Sequence, residues 1–282
     1  MKRRLLAAVL FAAVTVLGFA ASAGAVDGVS EINQAKVLAA GGFPYQINAA
    51  GSYRLTSNLL PTPGASAIVV NNNNVTIDLN GFTIWQVNSG GTGIDSSSHG
   101  PTTVENGIVT GFATGISTSS NAIIRNVQAI SNSGIGIYLS SPNGLVEGCT
   151  ANNNVYGLYC YNSCRLVGNV ANNNSTIGIV CALPGCLISG NTANYNSGNA
   201  GIVCNSGGCT VLDNVAEYNY YGIYTGTTNG TSIIRNTMVG NTFGAYFNDT
   251  TSAYGEDIFQ GNSVSVTGGT SLHTNLCNGA AC

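Results

Sequence analysis

Eleven residues beginning at Cys164, CRLVGNVANNN, return at Cys186 as CLISGNTANYN and at Cys209 as CTVLDNVAEYN. The frame extends well beyond these three copies. Aligned on one Asn per copy, it falls at Asn106, Asn126, Asn169, Asn191, Asn214 and Asn236, with Gly148 in the open slot, so the steps run from 20 to 23 residues. Five residues on, a second position reads Gly111, Ser131, Asn153, Asn174, Asn196, Asn219 and Asn241. A Gly–aliphatic pair follows, from Gly115-Ile116 to Gly222-Ile223, closed by Gly244-Ala245. A unit this short cannot bury its apolar face alone, so the period commits the chain to a solenoid whose units stack.

Two solenoids compete at this repeat length. Leucine-rich repeats need several Leu and a helical half in each unit. Leu is scarce here, and Gly and Asn are poor helix formers. The recurring segments AIIR, GIYL, GLYC and GIVC, bounded by Gly, Asn and Ser, read as short strands. The expected fold is all-β, a right-handed parallel β-helix of about 8–10 coils of 20–26 residues with a short N-terminal capping helix. Equivalent residues of successive coils then stack. An inward Asn can bond the backbone of both neighbouring coils, and Asn tolerates the left-handed backbone of sharp bends. These Asn therefore read as structural.

The cysteines fit the same frame. In GLYC and GIVC the residue after Gly points in, the next out and the Cys in. Cys160, Cys181 and Cys204 form one column. Cys164, Cys186 and Cys209 form another, with Asn143 or Thr231 in that slot where Cys is absent. The pairs Cys160–Cys164, Cys181–Cys186 and Cys204–Cys209 each staple one turn, and Cys277–Cys282 closes a C-terminal loop. Vertical pairing between coils is the alternative, and a zinc site a remoter one. Nine cysteines leave one over, and Cys149 is the candidate.

The chain opens with Lys2, Arg3 and Arg4, an apolar run from Leu5 to Ala21, and the small residues Ala21-Ser22-Ala23-Gly24-Ala25. This is the pattern of a secretory signal peptide over residues 1–25. The expected divisions are then 26–66, cap and first strands; 67–268, the β-helix; and 269–282, a tail with a Cys pair. Ser30 is the expected cap of a helix in EINQAKVLAA, stopped by Gly41-Gly42. Export to the periplasm, the cell surface or beyond also suits disulfides. No segment after the leader is apolar for long enough to span a bilayer. Of eight basic residues three lie in the leader, leaving Lys36, Arg54, Arg125, Arg165 and Arg235 against eleven acidic ones. So sparse and scattered a basic set excludes nucleic acid as a partner.

The stretch GFPYQINAAGSYRLTSNLL…NNVTIDLNGFTIW, followed by the Gly-Ile and NxxxxN repeats, resembles the bacterial right-handed parallel β-helix repeat proteins of the pectin lyase-like fold group. The resemblance covers nearly the whole mature chain. It implies the fold, and a polysaccharide or surface glycan as partner; active members mostly act on acidic or neutral polysaccharides. A periplasmic copper-accessory branch shares the repeat.

Catalytic patterns of that group do not stand in this sequence. There is no Asp-Asp pair and no Arg-x-Lys, and Lys36 is the only Lys after the leader. His99 and His273 stand alone. Glycoside hydrolysis needs two neighbouring carboxylates, for which Asp213 with Glu217 and the turn pair Glu256-Asp257 are weak candidates. No cofactor is expected for a non-enzyme; for an enzyme, Ca²⁺ near Asp78, Asp95 or Glu105 is the alternative. A binding reading rests on Tyr138, Tyr159, Tyr224 and Tyr246, which share the outward slot after the Gly–aliphatic pair. Tyr156, Tyr161, Tyr218, Tyr220 and Tyr221 lie nearby. Such a ladder suits the flat faces of sugars. The sequence thus favours an exported, non-catalytic β-helix that binds polysaccharide or serves as a surface element, over a lyase or hydrolase with an atypical site.

Overall fold

The structure, a computed structural model, describes residues 28–227 and 230–282. The leader read at residues 1–25 lies outside them. Among the described residues the chain winds into a right-handed parallel β-helix with three faces. The first sheet has 13 strands, the second 11 and the third, on the short face, 5. The strands pair in parallel from coil to coil; the closing hairpin Leu276–Cys277 with Ala280–Ala281 is antiparallel. The first coil already contains Val29–Ile32, so the winding starts within residues 26–66, the segment expected to hold the cap and first strands.

Each coil buries an aliphatic residue from every face. Ile124, Val146, Leu166, Ile188, Val211 and Ile233 stack inward from the first sheet, and Ile116, Ile137, Leu158, Ile179, Ile202 and Ile223 from the second, all at most 1 % exposed. The capping helix is Gln34–Ala39 and buries Val37. Its N-cap is Asn33, whose side chain accepts from Lys36 N at 2.9 Å, not Ser30. Ser30 is held in the first strand, extended beside Tyr53. Gly41 and Gly42 end the helix with positive φ, as expected, and Gly42 N returns to Val37 O.

Two corners of the middle and later coils are built on buried amide ladders. One runs Asn169, Asn191, Asn214, Asn236 and Asp257; the other Asn132, Asn154, Asn174, Asn196, Asn219, Asn241 and Asn262. Within a ladder, Oδ1 accepts from the backbone and side chain of the preceding amide, as Asn191 Oδ1 does from Asn169. Nδ2 donates onward to the next amide, as Asn169 does to Asn191 Oδ1 at 2.9 Å, and commonly back to a carbonyl, here Val146 O at 3.0 Å. The turn groups are thereby satisfied without water.

This corrects the sequence alignment by one residue in the early coils. Asn106, Asn126 and Gly148 precede the ladder slot; they form an exposed left-handed column (φ 61, 51 and 61°) continued by Gly168, Gly190, Asp213, Arg235 and Glu256. The slot after Gly148 holds Cys149, whose N donates to Asn169 Oδ1 and whose thiol reaches Ile124 O at 3.6 Å. Cys149 thus stands at the head of an amide ladder, and burial pushes its thiol up to about 11. Likewise Gly111, Ser131 and Asn153 are left-handed corner residues, and Asn132 and Asn154 take the inward slot.

The Gly of each Gly–aliphatic pair has a steric cause. A Cβ on Gly178 would lie 2.7 Å from Gly201 O, 2.8 Å from Ala171 O and 2.8 Å from Asn196 Nδ2. The inward slot above the ladder has no room for a side chain.

Candidate functional site

The second sheet places two side chains per coil on the outer surface. One column reads Ile135, Tyr156, Ile177, Ala200, Tyr221, Phe243 and Val264; the other Ser117, Tyr138, Tyr159, Val180, Val203, Tyr224, Tyr246 and Thr267. The four tyrosines singled out from sequence therefore do share one column, but not without interruption. Val180 and Val203 separate Tyr159 from Tyr224, and Ile177 and Ala200 separate Tyr156 from Tyr221.

The interruption makes a groove. Ile177, Val180, Ala200 and Val203 form an apolar cluster outside the main core, each at most 8 % exposed, with Tyr156, Tyr159, Tyr221 and Tyr224 packed against it. The groove has a volume of 310 Å³, and Asn199 and Asn205 add amides to its lining. Its walls are braced from behind. Tyr138 meets Tyr159 edge to face at 5.5 Å between centroids, and Tyr156 meets Tyr159 at 5.9 Å. On the far side Tyr246 stacks on Tyr224 at 5.8 Å and 8°, and Tyr221 lies 5.3 Å from Tyr224. With coils about 4.8 Å apart, the walls Tyr159 and Tyr224 stand three spacings, roughly 14 Å, apart. Burial pushes the hydroxyls of Tyr159 and Tyr221 above the ordinary phenol value, so they remain neutral. Asn248 Nδ2 donates to Tyr224 Oη at 3.4 Å. Sequence reasoning found the tyrosines by their spacing. It missed the floor, because Val and Ile in a strand signal nothing beyond the strand.

The carboxylate candidates are not assembled. Asp213 is paired with Arg235 (Nε–Oδ1 2.8 Å, Nη2–Oδ2 3.0 Å), which holds its carboxyl below the usual range. Glu217 is the far end of the third-face strand Val215–Glu217 from Asp213 and accepts from Asn194 Nδ2 at 3.3 Å. Of the three early acids, Asp78 and Glu105 are neighbours on the first sheet, with Asp78 bonded by Arg54 and Asn106, whereas Asp95 sits on the second sheet. Asp95 is parted from the other two because the coil turns a corner between the sheets. Of the turn pair, Glu256 is an exposed corner residue and Asp257 is a buried member of an amide ladder, its N donating on to Asn275 Oδ1 and its carboxyl pushed up to about 7 by burial.

Six sulfurs line the corner between the second and first sheets, all at most 3 % exposed. Cys160–Cys164, Cys181–Cys186 and Cys277–Cys282 are disulfides, as expected. Cys204 and Cys209 are thiols, contrary to the expected third staple. Their turn takes two successive left-handed glycines, Gly207 and Gly208, and Cys209 Sγ is directed to Gly207 O at 3.7 Å. A hydrogen bond from Cys204 lowers Cys209, and the same bond with burial raises Cys204. In the second column the slot above Cys164 belongs to Gly144, whose carbonyl pairs as those of Cys164 and Cys186 do, rather than to Asn143.

The fold and surface define a parallel β-helix protein with a grooved, aromatic sheet face. Residues 30–184 and 71–270, in two overlapping placements, match the family described as periplasmic copper-binding protein (NosD), and the chain belongs to that family. No curated protein matches the sequence. Among solved structures, the enzymatically active domain of tailspike protein 2 of bacteriophage CBA120 is similar at 12 % identity, TM-score 0.53, over 82 % of this chain and 37 % of that one. The mannuronan C-5 epimerase AlgE6 A-module of Azotobacter vinelandii is similar at 14 % identity, TM-score 0.49, over 86 % of this chain and 93 % of that one. The chain thus spans about a third of the tailspike domain it resembles, and at these identities the likeness concerns the fold. The periplasmic family agrees with export.

The family's copper prompts a test of the sulfurs. Two trios lie within 4.8 Å of one another, Cys160/Cys164/Cys186 and Cys181/Cys186/Cys209. Soft metals take thiolates, and every sulfur of these trios except Cys209 is bound in a disulfide. His99 and His273 lie in neither trio, and Met238 is sealed in the core. In this state neither trio offers a set of thiolates for copper.

Proposed function

We propose that the protein is an exported, non-catalytic β-helix that binds a polysaccharide or cell-surface glycan on the outer face of its second sheet. The observation that carries this reading is the tyrosine-walled groove over Ile177, Val180, Ala200 and Val203. Sugars present flat faces of C–H bonds that stack on aromatic rings, and their rim hydroxyls need donors and acceptors. The groove offers both, through its rings and floor and through the tyrosine hydroxyls and the amides of Asn199 and Asn205. A parallel β-sheet holds these groups at fixed spacing, so little side-chain freedom is left to lose on binding. The walls already pack against their neighbours.

The test is retention of the purified protein in native gels cast with a panel of polysaccharides, alongside assays for new reducing ends and unsaturated products. Retention without cleavage, abolished in a Tyr159→Ala, Tyr224→Ala double variant that melts as the parent does, is the expected result. New chain ends would overturn the non-catalytic reading, and equal retention of the double variant would remove the groove from it.

A further inference from the structure

Resting on that reading, we infer that the groove selects an uncharged glycan, a polymer of neutral sugars, over the uronate polymers. The floor is wholly aliphatic and its lining carries hydroxyls and amides but no charged side chain. A carboxylate laid against this floor would shed water with no cation to replace it, which is costly in an apolar setting.

The placement of the basic residues strengthens the point. Arg54, Arg125 and Arg165 lie on first-sheet strands, Arg235 follows one, and Lys36 is in the capping helix, where it donates to Glu31 O. Three of the arginines are in ion pairs, with Asp78, Glu147 and Asp213. Among the described residues, no Lys or Arg sits on a second-sheet strand. Beside the strand that carries the groove's C-terminal wall stands an acid. Asp249 accepts from Thr225 Oγ1 at 3.2 Å and from Ser252 Oγ at 2.7 Å, which with its other local bonds keeps it ionised. The chain's overall excess of acid acts in the same direction at long range.

Specificity here is a difference of affinities, and unpaired burial of the wrong ligand's charge supplies it. The apolar face of a neutral pyranose fits the valines, its rim hydroxyls reach Asn199, Asn205 and the tyrosine hydroxyls, and nothing on it remains unpaired.

The experiment compares the parent chain on soluble β-glucan, xylan and galactomannan with the same chain on alginate and polygalacturonate, each at low and high salt. Retention by at least one neutral polymer, little changed by salt and at least about tenfold stronger than by either uronate, is expected. A Val203→Lys variant places a cation on the floor. It should lose neutral-polymer binding and gain uronate binding that falls with salt. Preferential uronate retention by the parent, lost in the Tyr159→Ala, Tyr224→Ala variant, would overturn this inference and leave the groove as a glycan site. Retention by none of the five polymers would overturn the glycan reading itself.

Discussion

Asn191 accepts from both the backbone and the side chain of Asn169, and donates to Leu166 O at 2.8 Å and Asn214 Oδ1 at 2.9 Å. Asn191→Ala removes all of these at once in a buried site, and unfolding should become easier by roughly 2–4 kcal/mol. Asn106→Gly, at an exposed left-handed corner, should shift stability by less than about 0.5 kcal/mol in the same denaturant titrations. The contrast separates two positions that look alike in sequence. Ladder and corner are adjacent residues, and Asn suits each for a different reason, one for its amide and one for its tolerance of positive φ. That is why the repeat was legible while its register in the early coils was not. Tyr195 and Tyr218 show the corner under strain. Both take φ near 55° where other coils use Gly, Ser or Asn, and their rings stack at 4.8 Å and 13°, half exposed. The left-handed backbone costs a bulky residue about 1–2 kcal/mol, and the stack returns about as much. Tyr195→Gly with Tyr218→Gly should therefore leave the melting temperature unchanged or raised; a clear fall would show the stack to be a stabilising element. Asp257 carries a pH dependence. Its folded value near 7 lies above the ordinary 3.8, so its contribution is fully present at acid pH and is lost as pH rises from about 4 through 7. The stability difference between Asp257→Asn and the parent should shift towards the variant across that window, followed by thermal melts at stepped pH.

At the scale of the element, the Gly–aliphatic pair is the least replaceable part of a coil. Gly178→Ala would press a methyl group onto two carbonyls and the ladder amide of the next coil, and a loss of roughly 2–3 kcal/mol is expected from chemical denaturation. The sulfur corner is the element where sequence and structure part. Repetition of the spacing made three staples the natural expectation, yet whether a pair closes depends on the path of the intervening turn, and Gly207-Gly208 lets that path differ. Alkylation of the denatured, unreduced chain should label three cysteines, Cys149, Cys204 and Cys209; a single label would mean that the third staple is closed. The groove was half legible for a related reason. Tyrosine spacing revealed the walls, but a floor of Val, Ile and Ala becomes a feature only when neighbouring coils raise rings on both sides of it.

Over the whole molecule, the β-helix works as a ruler. Coil spacing fixes the separation of every outward group, so the two tyrosine walls and the valine floor between them are held by the same ladders that hold the core. Ion pairs lie on other parts of the surface and, at roughly half exposure, add little to stability. Among the described residues, the molecule thus keeps Lys and Arg off the strands of the face that carries the tyrosine-walled groove. A crystal structure of the protein soaked with a neutral oligosaccharide tests this account most directly. It should show a sugar ring lying over Val180 and Val203, between Tyr159 and Tyr224, with hydroxyls on Asn199 or Asn205. Density for the sugar on another face, with the groove left to solvent, would contradict it.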